Sequence, residues 1–265
     1  MDWKSIAVVN SVFIFAFLET IFPFFYFQSS FNQRTYPNII LGIINVFINS
    51  ITIAFSLYWI WQQPSLLGSL NYIKSPWLGG LIAFLLLDLY MYLWHRLMHK
   101  YAVAWRFHQV HHTEISMNTS TAYRFHTVEV IASNVPKLLL IWLCAIKPSY
   151  LLCYEITLAI ELVFHHSNWA MPRKVDKFLS YFIVTPNIHR LHHSQFFQDT
   201  QSNYASVLTI WDKLWHTCAY PKYPEKIKLG LPEYHQHLNI LNLILLPLRE
   251  SVKKVSRDAI AGKIK

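Results

Sequence analysis

The stretch HRLMHKYAVAWRFHQVHH, residues 95 to 112, holds five of the fourteen histidines of this chain. His95 and His99 stand four residues apart, so on a helix both rings share one face. His108, His111 and His112 form an HxxHH pattern, and His189, His192 and His193 repeat it in HRLHH. In helical geometry the first ring of HxxHH lies angularly between the other two, so three imidazoles converge on one side. Random placement of the same histidines would give one HxxHH only about 0.04 times. His126 in YRFHTVEV and His165 and His166 in FHHSNW bring the number between positions 95 and 193 to eleven.

Imidazoles brought together without a metal leave ring nitrogens unpaired, and any protonated rings repel. Neutral imidazole suits zinc, copper, iron and nickel alike, so the ligand type leaves the metal open. Number is more informative: eight to ten histidines exceed what one tetrahedral zinc uses and point to two ions. Haem takes one or two axial histidines, and the carboxylate-rich di-iron bundles use Glu-x-x-His, which does not match this pattern. Outside the boxes, His126 and His165 read equally well as hydrogen-bonded core groups, and His216 reads as a surface residue.

The elements that must carry these rings are apolar helices. The composition is 54% hydrophobic and 16% aromatic with 14% charged residues, beyond what an ordinary soluble domain carries. A bilayer-spanning helix needs roughly 20 mostly apolar residues, and three stretches approach that: Ile6 to Phe27, Asn38 to Trp61, and Leu78 to Trp94. The first has Lys4 on its flank but no small-residue cleavage site, so it reads as a retained helix and not a removed signal. Glu19, Asn45 and Asn49 inside these stretches are expected to face other helices. Residues 128 to 164 form a further apolar region, broken at Pro136 and at 147 to 149, that reads as a helical hairpin. Ser75 is placed to cap the third span.

The fold expected is therefore all-α: an integral-membrane bundle of three to five helices with a cytosolic, helical, histidine-rich di-metal cap. One domain covers residues 1–265, with anchor helices at 1–94, a catalytic region at 95–220 and a basic tail on the membrane surface at 221–265. The formal charge of +9 concentrates after the third span, in Arg96, Lys100, Arg106, Arg124, Arg173, Lys174, Lys177, Arg190 and the C-terminal lysines. That places this side in the cytoplasm and favours anionic headgroups over nucleic acid as the partner of the basic surface. Cys144, Cys153 and Cys218 show no metal or redox spacing, and no disulfide is expected.

The ordered set DLYMYLWHRLMH (88 to 99), WRFHQVHH (105 to 112), YRFHTVE (123 to 129), HHSNW (165 to 169), TPNIHRLHHS (185 to 194) and NYASVLTIWDKLWHT (203 to 217) resembles the integral-membrane fatty acid hydroxylase and sterol desaturase superfamily. The resemblance implies two iron ions, with zinc a metal the same rings would take on isolation, and O2 as co-substrate in hydroxylation or desaturation of a lipid such as a fatty acyl, sterol-like or ether lipid. His95, His99, His108, His111, His112, His189, His192 and His193 carry over onto the boxes, and His166 onto the histidine of HSN. His126 is the tenth candidate ligand, although Thr127 stands where the family usually has proline.

A ligating histidine usually donates its other N–H to a carboxylate or carbonyl. Asp88, seven residues before His95, and Asp212 in WDKLW are expected to orient rings in this way. The chain carries no dinucleotide or flavin fingerprint and too few cysteines for an ordinary iron–sulfur cluster, so an external donor, a reductase with a ferredoxin or cytochrome, is implied. Two other classes compete. A zinc-dependent membrane hydrolase would want a general base such as that of HExxH, which does not occur here, and a metal transporter would place ligands midway through the membrane.

Overall fold

The computed structural model of the chain describes residues 3 to 249, with side chains from Ser5 onward. In chain order the helices are α1 (Trp3–Ile21), α2 (Phe31–Arg34), α3 (Tyr36–Ile60), α4 (Pro76–Lys100), α5 (Ala102–His112), α6 (Thr127–Cys144) and α7 (Pro148–His166). Five shorter ones follow: α8 (Arg173–Leu179), α9 (Pro186–His192), α10 (Phe197–Thr200), α11 (Ile210–Leu214) and α12 (Ile240–Leu245). Among the described residues no strand forms, and β pairing is confined to isolated bridges.

Three helical segments are long and apolar enough to cross a membrane: Phe31–Ile60, Pro76–Lys100 and Thr127–Cys144. Their outward faces carry exposed Phe47, Phe55, Trp77, Val135 and Leu139, large apolar side chains of the kind that a bilayer accommodates. Local sequence explains their limits. Ser75 accepts a hydrogen bond from the Leu78 N–H ahead of α4, and Pro76 and Pro148 occupy first helical positions, where a missing N–H costs nothing. α6 stops when Ala145 turns left-handed at φ 57° and the Ile146 N–H reaches back to the Ile141 carbonyl.

Three sequence expectations change in detail. The first apolar stretch does not continue to Phe27 as helix: α1 ends at Ile21, and the chain then pairs with residues 168 to 170 through Phe24 N–H to Asn168 O and Ala170 N–H to Phe22 O. Pro23, lacking an N–H, sits in that extended segment. Pro136 does not break α6, which runs through it as one helix; the Tyr90 hydroxyl donates to the Ser133 carbonyl in the same turn. Finally, α6 and α7 turn back on each other but do not pack along their length. α6 lies on α3, while α7 lies on α1 and α4, and a gap remains between the two halves of the hairpin.

The polar residues inside the apolar helices face other segments. The Glu19 carboxylate accepts the N–H groups of Thr119 and Asn168 at 2.9 and 2.8 Å. Asn45 bridges the Phe125 carbonyl and the Thr127 hydroxyl, and Asn134 donates to Asn49 Oδ1 at 2.6 Å. Leu243 and Leu246 do not lie on the surface; both are buried with Leu41 and Val110, while Leu241 and Leu248 on the same segment stay exposed. The basic tail beyond 249 lies outside the described residues.

Two arginines counted as surface charge are internal. Arg124 is buried, donating to Val110 O, Asn38 Oδ1 and Thr113 Oγ1 at 3.0, 2.7 and 2.8 Å and pairing with Glu114 at 3.4 Å. It fastens the C-terminal end of α5 to α3. Arg190 is also buried; it donates to the carbonyls of Ser167 and Trp169 at 2.9 and 3.0 Å and to Asn187 Oδ1 at 2.8 Å, tying α9 to the turn after α7. Removing one partner of such a buried pair strands the other charge, at a cost of about 3–5 kcal/mol. Arg124→Ala is therefore expected to lower the thermal midpoint in detergent sharply, whereas Arg124→Met combined with Glu114→Leu should lower it far less; equal losses would contradict the ion-pair account.

Candidate metal centre

Four helix ends deliver the rings. α4 ends with His95 and His99, α5 with His108, His111 and His112, α7 with His165 and His166, and α9 carries His189 and His192 with His193 just beyond it. The start of α9 is fixed by Asp176, whose carboxylate accepts from Thr185 Oγ1 and the Asn187 N–H at 3.0 and 3.2 Å. The histidines fall into two groups whose ring nitrogens lie within 4.8 Å of one another: His95, His99, His108, His112 and His192 in one, and His111, His166, His189 and His193 in the other. The groups adjoin where His112 stacks on His193, with ring centroids 4.4 Å apart.

The hydrogen bonds behind the rings decide which nitrogens face inward. The Nδ1–H of His95 donates to Tyr204 O at 2.8 Å, that of His192 to Ser202 O at 2.6 Å, that of His166 to Leu162 O at 2.7 Å and that of His111 to Arg124 O at 3.3 Å. A carbonyl can only accept, so these Nδ1 atoms carry the protons. A neutral imidazole then presents a bare lone pair at Nε2. Yet His95 and His192 bring their Nε2 atoms to 2.9 Å, and His111 and His166 bring theirs to 3.1 Å. Neither contact can be a hydrogen bond, since neither side has a proton to give.

A second count agrees. Nε2 contacts run in series from His111 to His166 to His189 to His193, at 3.1, 2.9 and 3.2 Å. One ring nitrogen offers either one N–H or one lone pair, so four atoms cannot make three hydrogen bonds in a row. The nitrogens of His99 and the Nδ1 atoms of His189 and His193 are buried with no hydrogen-bond partner at all. A cation at the centre of each group resolves the Nε2 contacts and takes one of the two unpartnered nitrogens of His99. Metal–imidazole bonds of about 2.0–2.1 Å place ligand nitrogens about 3.0 Å apart at right angles and about 3.4 Å apart at tetrahedral angles. The observed 2.9–3.2 Å is the spacing of nitrogens that share one cation.

The electrostatics keep the rings in the ligating form. Burial, reinforced by neighbouring rings, holds His111, His112, His189 and His193 well below the ordinary histidine range, and burial takes His192 down to about 3. They stay neutral at physiological pH.

Nine of the ten candidate ligands are thus brought together. The tenth, His126, is elsewhere: its Nδ1 accepts from the Val128 N–H at the start of α6 and its Nε2 donates to the Ile244 carbonyl at 3.2 Å. His165, in contrast, lies against His166 and His189 with both nitrogens buried and unpartnered. His216 is exposed. Neither Asp88 nor Asp212 meets a histidine ring. Asp88 accepts from Trp211 Nε1 and the Leu208 N–H, and Asp212 from the N–H groups of Tyr204 and Ala205. Both hold the 204–208 loop whose Tyr204 carbonyl anchors His95. The carboxylate that meets a ring of the two groups is Glu129, which accepts from His108 Nδ1 at 2.8 Å. It stands three residues after His126 in sequence, and only the packing of α6 on α5 shows whose ring it serves.

Below the rings a cavity of about 230 Å³ runs between α6 and α7. The rings of His95, His108, His111 and His165 form one end, and Met91, Trp94, Phe125, Val130, Leu158 and Leu162 form much of its wall.

The chain is an all-helical bundle with three membrane-length helices and two converging histidine groups, and over residues 80–217 it matches the fatty acid hydroxylase family model: the chain belongs to the fatty acid hydroxylase family. It is 28% identical over 174 residues to ornithine lipid hydroxylase OlsE of Rhizobium tropici, covering 65% of this chain and 50% of that protein. It is 31% identical over 192 residues to human alkylglycerol monooxygenase, covering 71% and 40%. To the very-long-chain aldehyde decarbonylase GL1-4 of rice it is 28% identical over 137 residues, covering 48% and 22%. The chain thus spans half or less of the length of these relatives. No solved structure matches it.

Two outcomes test the geometry. Glu129→Gln keeps the shape but weakens the acceptor behind His108, and metal affinity should fall about 10–100-fold as read by competition with a chelator; an unchanged affinity would remove Glu129 from the site. In chelator-stripped protein, the unfolded chain takes up protons near the ordinary histidine value of 6.5 while the folded rings titrate lower. Stability is then fully present above about 6.5 and is lost as pH falls below it, so the thermal midpoint should drop progressively toward pH 5. A flat profile would contradict buried neutral rings.

Proposed function

We propose that this protein is an O2-dependent di-iron oxidoreductase that hydroxylates, or desaturates, a membrane lipid. The carrying observation is the meeting of lone pairs at His95–His192 and His111–His166, which calls for a cation in each group, directly above an apolar cavity. The metal set would be the five rings of the first group and the four of the second, with the backbone carbonyls of Tyr204, Ser202, Leu162 and Arg124 and the Glu129 carboxylate holding the Nδ1–H of His95, His192, His166, His111 and His108. The chemistry two bound irons supply is activation of O2 for attack on an unreactive C–H bond, which no side chain can perform.

The protein's own residues bind and position. The apolar wall of Met91, Trp94, Phe125, Val130, Leu158 and Leu162 takes a hydrocarbon chain out of water and holds one carbon below the rings; the choice of carbon and of outcome follows from that placement. The gap between α6 and α7 gives the chain a lateral way in from the bilayer. The relatives named for ornithine lipid and alkylglycerol oxidation support a lipid substrate. Electrons would come from a separate acidic reductase, ferredoxin or cytochrome docked on the exposed Lys100, Arg173, Lys174 and Lys177, on the cytoplasmic side by the same charge asymmetry.

The test is metal analysis joined to turnover in membranes with an electron donor under labelled O2. About two irons per chain and a labelled hydroxyl on a lipid are expected, with His111→Ala abolishing product. Zinc with lipid hydrolysis, or metal flux without product, would replace this function with a hydrolase or a transporter.

A further inference from the structure

The cavity under the rings ends at charge. Lys137 on α6 donates to Glu155 on α7 at 3.1 Å, and both side chains are largely shielded from solvent, 16% and 23% exposed. Counting 1.5 Å per residue, Lys137 stands about 12 Å along α6 from Glu129, and Glu155 about 16 Å along α7 from His166. The pair therefore lies well inside the apolar part of the bundle, where ionisable groups are expensive and mark function more often than packing. The hydrogen-bonded amides of Asn49 and Asn134 line the cavity with it.

A second cavity of about 290 Å³ lies beyond, reaching toward the opposite end of the bundle at Trp61 and Pro148. Its wall is mainly apolar, with Ile53, Leu57, Ile141 and Leu151. The two cavities share three residues: Asn49, Lys137 and Glu155. Since α6 and α7 do not pack on each other, the ion pair is a crossbar over the gap that would otherwise join the two spaces. A purely structural tie between these helices would be served as well by apolar side chains of the same volume, without the desolvation penalty.

We propose that the Lys137–Glu155 ion pair is the floor of the substrate cavity and sets the length of hydrocarbon chain accepted tail-first beneath the histidines. This rests on the reading that a lipid chain is the substrate. An alkyl tail gains by displacing water from apolar wall, but not by pressing on a charged pair whose separation would expose both ions to hydrocarbon. The chain that fits is one whose end reaches this crossbar when its reactive carbon lies under the rings.

The experiment measures binding of saturated fatty acids, octanoic to eicosanoic in two-carbon steps, to the metal-loaded protein in nanodiscs by displacement of a fluorescent fatty acid. For the native protein, affinity should climb about tenfold or more per step while added methylenes enter the cavity, then stop climbing at a break. Lys137→Ala with Glu155→Ala should move the break to longer chains by at least one step, while Lys137→Met with Glu155→Leu, which keeps the bulk, should leave it in place. If the double alanine protein does not fold, Lys137→Val with Glu155→Val, which removes both charges together and part of the bulk, reads a shift in the same direction. A break at the same length in native and alanine proteins of equal metal content and thermal midpoint overturns the proposal. Because the readout is binding, it is separable from the oxygenase reading: missing iron or missing labelled product would defeat that reading while the shift in break could still appear.

Discussion

The constraint on which this structure turns is the direction of a proton on each imidazole. Backbone carbonyls at Tyr204, Ser202, Leu162 and Arg124 each take an Nδ1–H, and each thereby commits its ring to present a lone pair at Nε2. Those lone pairs then point at one another at hydrogen-bonding distance with no hydrogen between them. Left alone, the arrangement is repulsive and desolvated. It becomes favourable only around a positive charge, so the fold's polar interior is organised for an ion.

Most of the unusual features of the bundle serve that arrangement. Arg124 and Arg190 are buried because they fasten helix ends that carry histidines: the first holds α5 to α3, the second holds α9 to the turn after His166. Asp88 and Asp212 hold the loop that supplies the carbonyl for His95. Asp176 fixes the start of α9. Some of these contacts join segments far apart in sequence and others close short loops, and each constrains a backbone group rather than a histidine ring. The rings are held rigidly because what anchors them is backbone that is itself tied down.

Much of this was legible in the residues. The HxxHH pairs, the His95–His99 spacing and the membrane-length helices at 36–60 and 76–100 follow from periodicity and from the chemistry of imidazole, and the resemblance of the boxes supplied the family. What could not be read were tertiary relations. Arg124 and Arg190 look like surface charge in a sequence, since nothing local tells a buried arginine from an exposed one. Glu129 lies next to His126 in the chain yet serves His108, whereas Asp88 shares a helical face with His95 yet serves Trp211 and the 208 backbone. His126 caps a helix instead of joining the groups. The separation of α6 from α7, which opens the cavity, depends on what each packs against and has no sequence signature.

The most direct measurement is X-ray absorption at the metal edge of the purified, metal-loaded protein. The account expects stoichiometric metal in two sites with a first shell dominated by nitrogen at imidazole distances, diminished by loss of His95 or His111. Folded protein that takes up no stoichiometric metal when it is supplied, or metal bound mainly by oxygen or sulfur, would contradict it.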